Sequence, residues 1–285
     1  MTLPSLTLLG QSLLSGIFIG SLYGLLGLGL SLSWGLLRQI NLANFALAFL
    51  GAYLTFQLTT VAHMDPLLTL LLIAPCFFVL GVLMHLLFAR FSVSAFNSLL
   101  VTFGLTVIIE SVIQTIWTAD YRRMDSVYGD MKFKLGSLYV PIPELLTLLI
   151  SISLSLATWA VLRYTDLGKA MRAAAEDAPI AAAFGVDEKR LALLLSGVAA
   201  AFAGVAGVCL ALSYTLSPSQ IYVWIGVVFA AVMIGGLCNP IGPLMDGIVI
   251  GGSDALTIDV TSTARRPMGS VSVMRAELHL ATSKL

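Results

Sequence analysis

Residues 191 to 245 run for 55 positions without one Asp, Glu, Lys or Arg. A bilayer core about 30 Å thick is crossed by ~20 apolar residues of helix, so this stretch holds two crossings and a connection. Other charge-free stretches cover residues 1–37, 66–89, 91–109 and 145–162. They are continuously apolar rather than alternating with period two, which selects helices over a β-barrel. Charged residues make up 11% of the 285-residue chain, against roughly 25% in a soluble domain, too few to cover a water-soluble globule. Fifteen basic residues balance fifteen acidic ones, which excludes the basic surface of a nucleic-acid binder and leaves the lipid bilayer as the medium.

The expected fold is all-α, a polytopic transmembrane bundle of about 7–8 membrane segments. Spans are expected near 12–36, 45–61, 67–88, 97–117, 144–162, 191–212, 222–236 and 244–257. The last two are short and are joined by Gly235, Gly236, Asn239, Pro240, Gly242 and Pro243. Such residues break a helix, so a broken or re-entrant Gly/Pro-rich pair is expected near 222–257. A transmembrane domain then covers residues 1–258, and 259–285 forms an atypical polar tail.

Orientation follows from Lys and Arg beside the spans. One set of loops holds Arg38, Arg90, Arg163, Lys169, Arg172, Lys189 and Arg190; the other holds Arg122, Arg123, Lys132 and Lys134. The richer side reads as cytoplasmic, with the N-terminus outside. The first segment lacks a basic start and is too long for a cleaved leader. Cys76, Cys209 and Cys238 are widely spaced in apolar segments, and His63, His85 and His279 form no cluster, so no metal is expected.

Gly16, Gly20 and Gly24 recur every four residues on one helix face, a pattern that serves close helix packing or lines a path. Glu110 lies inside a span, and Asp246 and Asp254 lie eight apart in the last apolar segment. Intramembrane carboxylates are costly and point to function. For Glu110 that is a wet cavity or a bond to a neighbouring helix. For Asp246 and Asp254 it is an ion path, although their places near segment ends favour Asp246 as the cap of a half-helix and Asp254 at the interface. Residues 165–190 read as two short amphipathic helices. Asp166 can cap the first, Leu167, Met171, Ala174 and Ala175 share its apolar face, Pro179 suits the first turn of the second, and Gly185 its end. Such a pair either docks into a groove of another protein or lies on headgroups. No G-x-x-x-x-G-K-[ST] motif is present, so ATP hydrolysis by this chain is not expected, and it binds no cofactor of its own.

Four stretches in order resemble the permease subunits of bacterial ABC importers for branched-chain and other hydrophobic amino acids. They are residues 29–43 continuing to 50–53, residues 102–105, residues 165–186, and the glycines Gly235, Gly236, Gly242, Gly247 and Gly251. The resemblance implies a transport subunit rather than an enzyme, set in the inner membrane. Its implied partners are ABC ATP-binding subunits that use the ATP, a sister permease subunit in a heterodimer, and an extracytoplasmic solute-binding protein. The implied cargo is a branched-chain or other hydrophobic amino acid, or a related solute such as urea or an amide.

By the same resemblance, Gly168, Arg172, Ala173, Asp177 and Gly185 couple to the ATPase. Gly20, Gly24, Asn41, Thr102, Gly104, Glu110, Gly235 and Gly236 serve the translocation path or helix packing. An ion-coupled carrier or a passive channel are the rivals, and neither needs the amphipathic pair. Two departures stand out. Asn44-Phe45 replaces the family's usual His-Gly, and residues 259–285 are too polar to form its final span. The tail therefore reads as an altered frame or a truncated product, with a genuine lineage-specific tail as the alternative.

Overall fold

A computed structural model describes residues 6–37, 39–90, 95–124, 128–129, 131–135, 138–236 and 239–257. The proposed altered-frame tail, Arg38 and Cys238 lie outside the described residues. Helices α1 (Leu6–Leu37), α2 (Ala43–Ala62), α3 (Pro66–Arg90) and α4 (Ala95–Trp117) come first. A hairpin of β1 (Lys132–Leu135) and β2 (Leu138–Pro141) precedes α5 (Ile142–Tyr164). Then follow α6 (Asp166–Glu176), α7 (Ala178–Ala183), α8 (Glu188–Ser213), α9 (Ile221–Gly235) and α10, residues 242–257. Among the described residues, seven helical stretches are long and apolar enough to cross a membrane, the shortest being Pro218–Gly235. The all-α expectation holds. Its omission is the hairpin, where β1 and β2 pair antiparallel with Phe133 opposite Val140. Four-residue strands carry too little periodicity to stand out in a polar loop.

The core forms where α1, α2, α3 and α8 meet, with Leu22, Leu25, Phe45, Tyr53, Phe77 and Leu210 almost fully enclosed. Small residues set the spacing. A β-carbon on Gly207 of α8 would lie 2.8 Å from the Ala52 nitrogen of α2. One on Gly81 of α3 would lie 2.5 Å from the Ser196 oxygen of α8. Gly204 takes the Phe77 ring, whose Cγ would stand 2.8 Å from a β-carbon there.

The Gly16, Gly20 and Gly24 stripe of α1 packs against α10. Added β-carbons on these residues would lie 2.6 Å from Gly252 Cα, 2.5 Å from Ile248 Cα and 2.6 Å from Leu244 Cα respectively. The order of partners makes the two helices antiparallel. Reciprocal contacts from Gly247 and Gly251 reach the α1 backbone, so neither chain leaves room for a side chain.

Helices α9 and α10 form the re-entrant pair. The Gly235 and Gly242 backbones touch, Gly236 takes φ +89°, and Asn239 Oδ1 accepts from Ile241 N at 3.2 Å. Asn239 rather than Asp246 therefore caps the turn, and Asp246 lies one turn inside α10. Pro243 beside the break reaches Gly27 of α1, ten residues before Leu37 and so about 15 Å from that end at 1.5 Å per residue. In a hydrocarbon layer about 30 Å thick, that places the break near the midplane.

The loops sort to two ends. One end carries Arg90, the close of α5, α6, α7 and the start of α8. The other is laced by hydrogen bonds: Gln11 pairs both ways with the Tyr139 backbone at 2.9 and 3.0 Å, Arg122 and Leu216 exchange backbone bonds, and Tyr128 donates to Asp65 Oδ2 at 2.9 Å.

Gly20→Leu should drive α10 off α1 and lower the thermal midpoint of the detergent-solubilised protein by roughly 5 °C or more, the scale of overpacking by 1–3 kcal/mol. Gly104→Ala, where a β-carbon meets nothing within 4 Å, should leave the midpoint unchanged in the same melt.

Candidate functional site

Residues 165–190 form the two helices that the pattern predicts, with corrections at their start. Thr165, not Asp166, caps α6: its Oγ1 accepts from Gly168 N at 3.1 Å and donates to Val161 O at 2.6 Å. Asp166 instead pairs with Lys169 at 2.9 Å, both exposed, so the pair adds little. The expected face holds at Met171, Ala174 and Ala175, but Gly168 is enclosed where Leu167 was expected and Leu167 is 37% exposed, because Gly168 lies directly on the end of α5. A β-carbon there would stand 2.5 Å from Val161 O. Met171 enters a cluster of Leu32, Leu162 and Leu195, tying α6 to the ends of α1, α5 and α8.

Asp177 joins α6 to α7. Its backbone N–H donates to Ala173 O at 3.0 Å, closing α6, and its Oδ1 accepts from Ile180 N at 3.1 Å, opening α7. Pro179 occupies the first turn. Gly185 takes φ +87°, a left-handed conformation that favours glycine, and its N–H donates to Ala182 O at 2.9 Å. Asp187 then caps α8, accepting from Lys189 N and Arg190 N at 3.1 and 3.2 Å. Arg172 and Ala173 face outward. So do Ile180 and Phe184, 58% and 86% exposed, which the sequence reading passed over. The signal available was a large apolar residue just before a helix-ending glycine, in a segment otherwise built of alanine.

Between α6–α7 and the ends of α1, α3 and α8 lies an open cavity of about 620 Å³. Its apolar floor includes Leu36, Phe88 and Leu195, and its lip includes Glu176, Asp177 and Glu188. Beneath it, His85 Nδ1 and Ser196 Oγ lie 3.0 Å apart across α3 and α8.

The remaining motif residues fall into three places. Asn41 Oδ1 accepts from Ala43 N at 3.1 Å and so starts α2. Thr102 Oγ1 accepts from Leu42 N at 3.2 Å and donates to Ser98 O at 2.7 Å, pinning α4 to that turn. Gly20 and Gly24 lie between α1 and α10, and Gly235 and Gly236 form the midplane break. Gly104 is exposed on α4, two residues after Thr102, and Glu110 lies further along α4 against α9. There Tyr222 donates to Glu110 Oε2 at 2.5 Å, and Gln114 Nε2 donates to Oε1 at 3.1 Å. Glu110 thus bonds a neighbouring helix. Asp254 is exposed on α10 and does not join it.

Residues 12–278 match the family model described as the permease component of the branched-chain amino acid transport system. The chain is 23% identical over 282 residues to the high-affinity branched-chain amino acid transport system permease protein LivH of Salmonella typhimurium, covering 93% of this chain and 91% of that one. It is 23% identical to the permease protein BraD of Pseudomonas aeruginosa, covering 88% and 86% of the two chains. A probable branched-chain permease, LivH of Methanocaldococcus jannaschii, is 27% identical over 87% of this chain and 81% of its own. No solved structure matches the chain.

Gly168→Val should lift α6 from Leu162. In a chain lacking its native cysteines, Met171→Cys should then label with maleimide about tenfold faster than without the glycine change, as a strain of 1–3 kcal/mol opens the contact.

Proposed function

The chain belongs to the branched-chain amino acid transport permease family, and on that premise we propose that it is a membrane-spanning subunit of an ABC importer for branched-chain or other hydrophobic amino acids. Transport, not catalysis, is its work. ATP is consumed by ATP-binding subunits on which α6 and α7 dock. A sister permease completes the path, and an extracytoplasmic binding protein delivers the solute.

The observation that carries this reading is the two-sided build of α6–α7. One side is fixed to three spans through Gly168 and Met171. The other presents Arg172, Ala173, Ile180 and Phe184, exposed among the described residues. A segment held this firmly moves with the spans, so displacement of a partner clamped on Phe184 passes into the membrane domain as rigid-body motion. Ion-driven carriers and channels have no use for such a surface. Basic residues cluster at this end, which supports a cytoplasmic α6–α7 and an outside N-terminus.

Arg172→Glu reverses charge on the docking face without touching a buried group. In the reconstituted complete transporter it should cut ATP-driven leucine uptake roughly tenfold, the scale of a lost interfacial charge contact, while uncoupled ATP hydrolysis persists. Unaltered uptake would count against docking through α6. Ion-driven uptake by this chain alone in liposomes would replace the reading with a carrier.

A further inference from the structure

The outward side of α4 and α9 holds a feature that packing does not explain. Glu110 is a carboxylate within an apolar span, about 10 Å before the α4 end at Trp117. It is half-buried, and among the described residues no lysine or arginine pairs with it. A lipid-facing carboxylate is costly, so this face meets water or protein rather than acyl chains. Gln114, one turn on and on the same helix face, is exposed as well. Gly226 lies one turn beyond Tyr222 on α9, and among the described residues a β-carbon there meets nothing within 4 Å.

The local geometry is that of a half-filled acceptor. Tyr222 supplies one hydrogen bond to Oε2 and Gln114 one to Oε1. An ionised carboxylate has about four acceptor sites, so roughly two remain open. The Phe103 ring, two turns earlier on the same face of α4, lies 6.3 Å from that of Tyr222. A carboxylate bonded by Tyr222, with a second ring near it, fits an ammonium group attached to an apolar side chain.

We propose that Glu110, positioned by Tyr222 and Gln114, binds the α-ammonium group of the amino acid as it enters the path beneath the mouth opposite α6. The assignment rests on the importer reading and names the contact that reading leaves open. Low local dielectric strengthens the pairing, and the zwitterion's own charge replaces the missing basic side chain.

The test uses the complete transporter, purified with its ATP-binding subunits and sister permease, in liposomes with its binding protein and L-leucine as the probe. Glu110→Gln keeps the shape and the Tyr222 bond but removes the charge. The purified complex should keep its sister permease and ATP-binding subunits, while leucine uptake falls at least roughly tenfold through a slower maximal rate, and Glu110→Asp recovers part of it. Uptake within about twofold of wild type in Glu110→Gln would overturn the ammonium site and leave the importer reading standing. Loss of the sister permease from the purified variant would make Glu110 a subunit contact and overturn the assignment as well. Absence of ATP-driven amino-acid uptake by the wild-type complex would overturn the importer reading, and this proposal with it.

Discussion

Lipid tails are as apolar as leucine, so helices in a bilayer gain little by hiding leucine from their surroundings. What remains is short-range dispersion, which grows only when backbones come close enough for many atoms to touch. The fold depends on that constraint at several seams. Glycines of α1 admit the backbone of α10, Gly207 of α8 admits α2, and Gly81 of α3 admits α8. At each seam the missing side chain is the contact. The large residues, Tyr53, Phe45 and Phe77 among them, then fill the space that the glycine seams leave between helices.

The same device joins the membrane domain to its surface helices. Gly168 lets α6 rest on Leu162 without a spacer, and Met171 reaches the cluster formed by three spans. Local capping does the rest. Thr165, Asp177 and Asp187 each satisfy the first amides of a helix, so the 165–190 stretch changes direction three times with its helix starts paired. The outcome is a stiff elbow rather than a loose loop, which explains how a segment with so little apolar surface of its own keeps one shape.

Much of this was readable from composition and spacing, because the physics behind it is local. Charge exclusion marks spans, a four-residue glycine period marks a helix face, and Pro179 and Gly185 mark helix ends. The midplane break was legible for the same reason, since Gly235, Gly236, Pro240 and Pro243 cannot continue a helix. What escaped depends on distant partners. Leu167 and Gly168 differ by one residue, and only the position of Leu162 decides which turns inward. The cap is Thr165 rather than Asp166 because α6 already begins at Asp166, which leaves the extended N-cap backbone to Thr165. Glu110 was visible as an oddity, but its neighbour Tyr222 comes from a helix more than a hundred residues later. No period in a single sequence carries such a pairing.

The seam between α1 and α10 also has a consequence for how the chain is made. Gly16 leaves the ribosome long before Gly252. At about 5–20 residues per second, the interval is on the order of tens of seconds. Throughout that time the first helix is in the bilayer with its narrowest side uncovered, and any other small-residue helix can occupy it. The native partner arrives as half of a hairpin too short to be inserted as an ordinary span. Assembly among the described helices therefore returns to where it began, with α10 sliding into a slot that α1 has had to keep vacant.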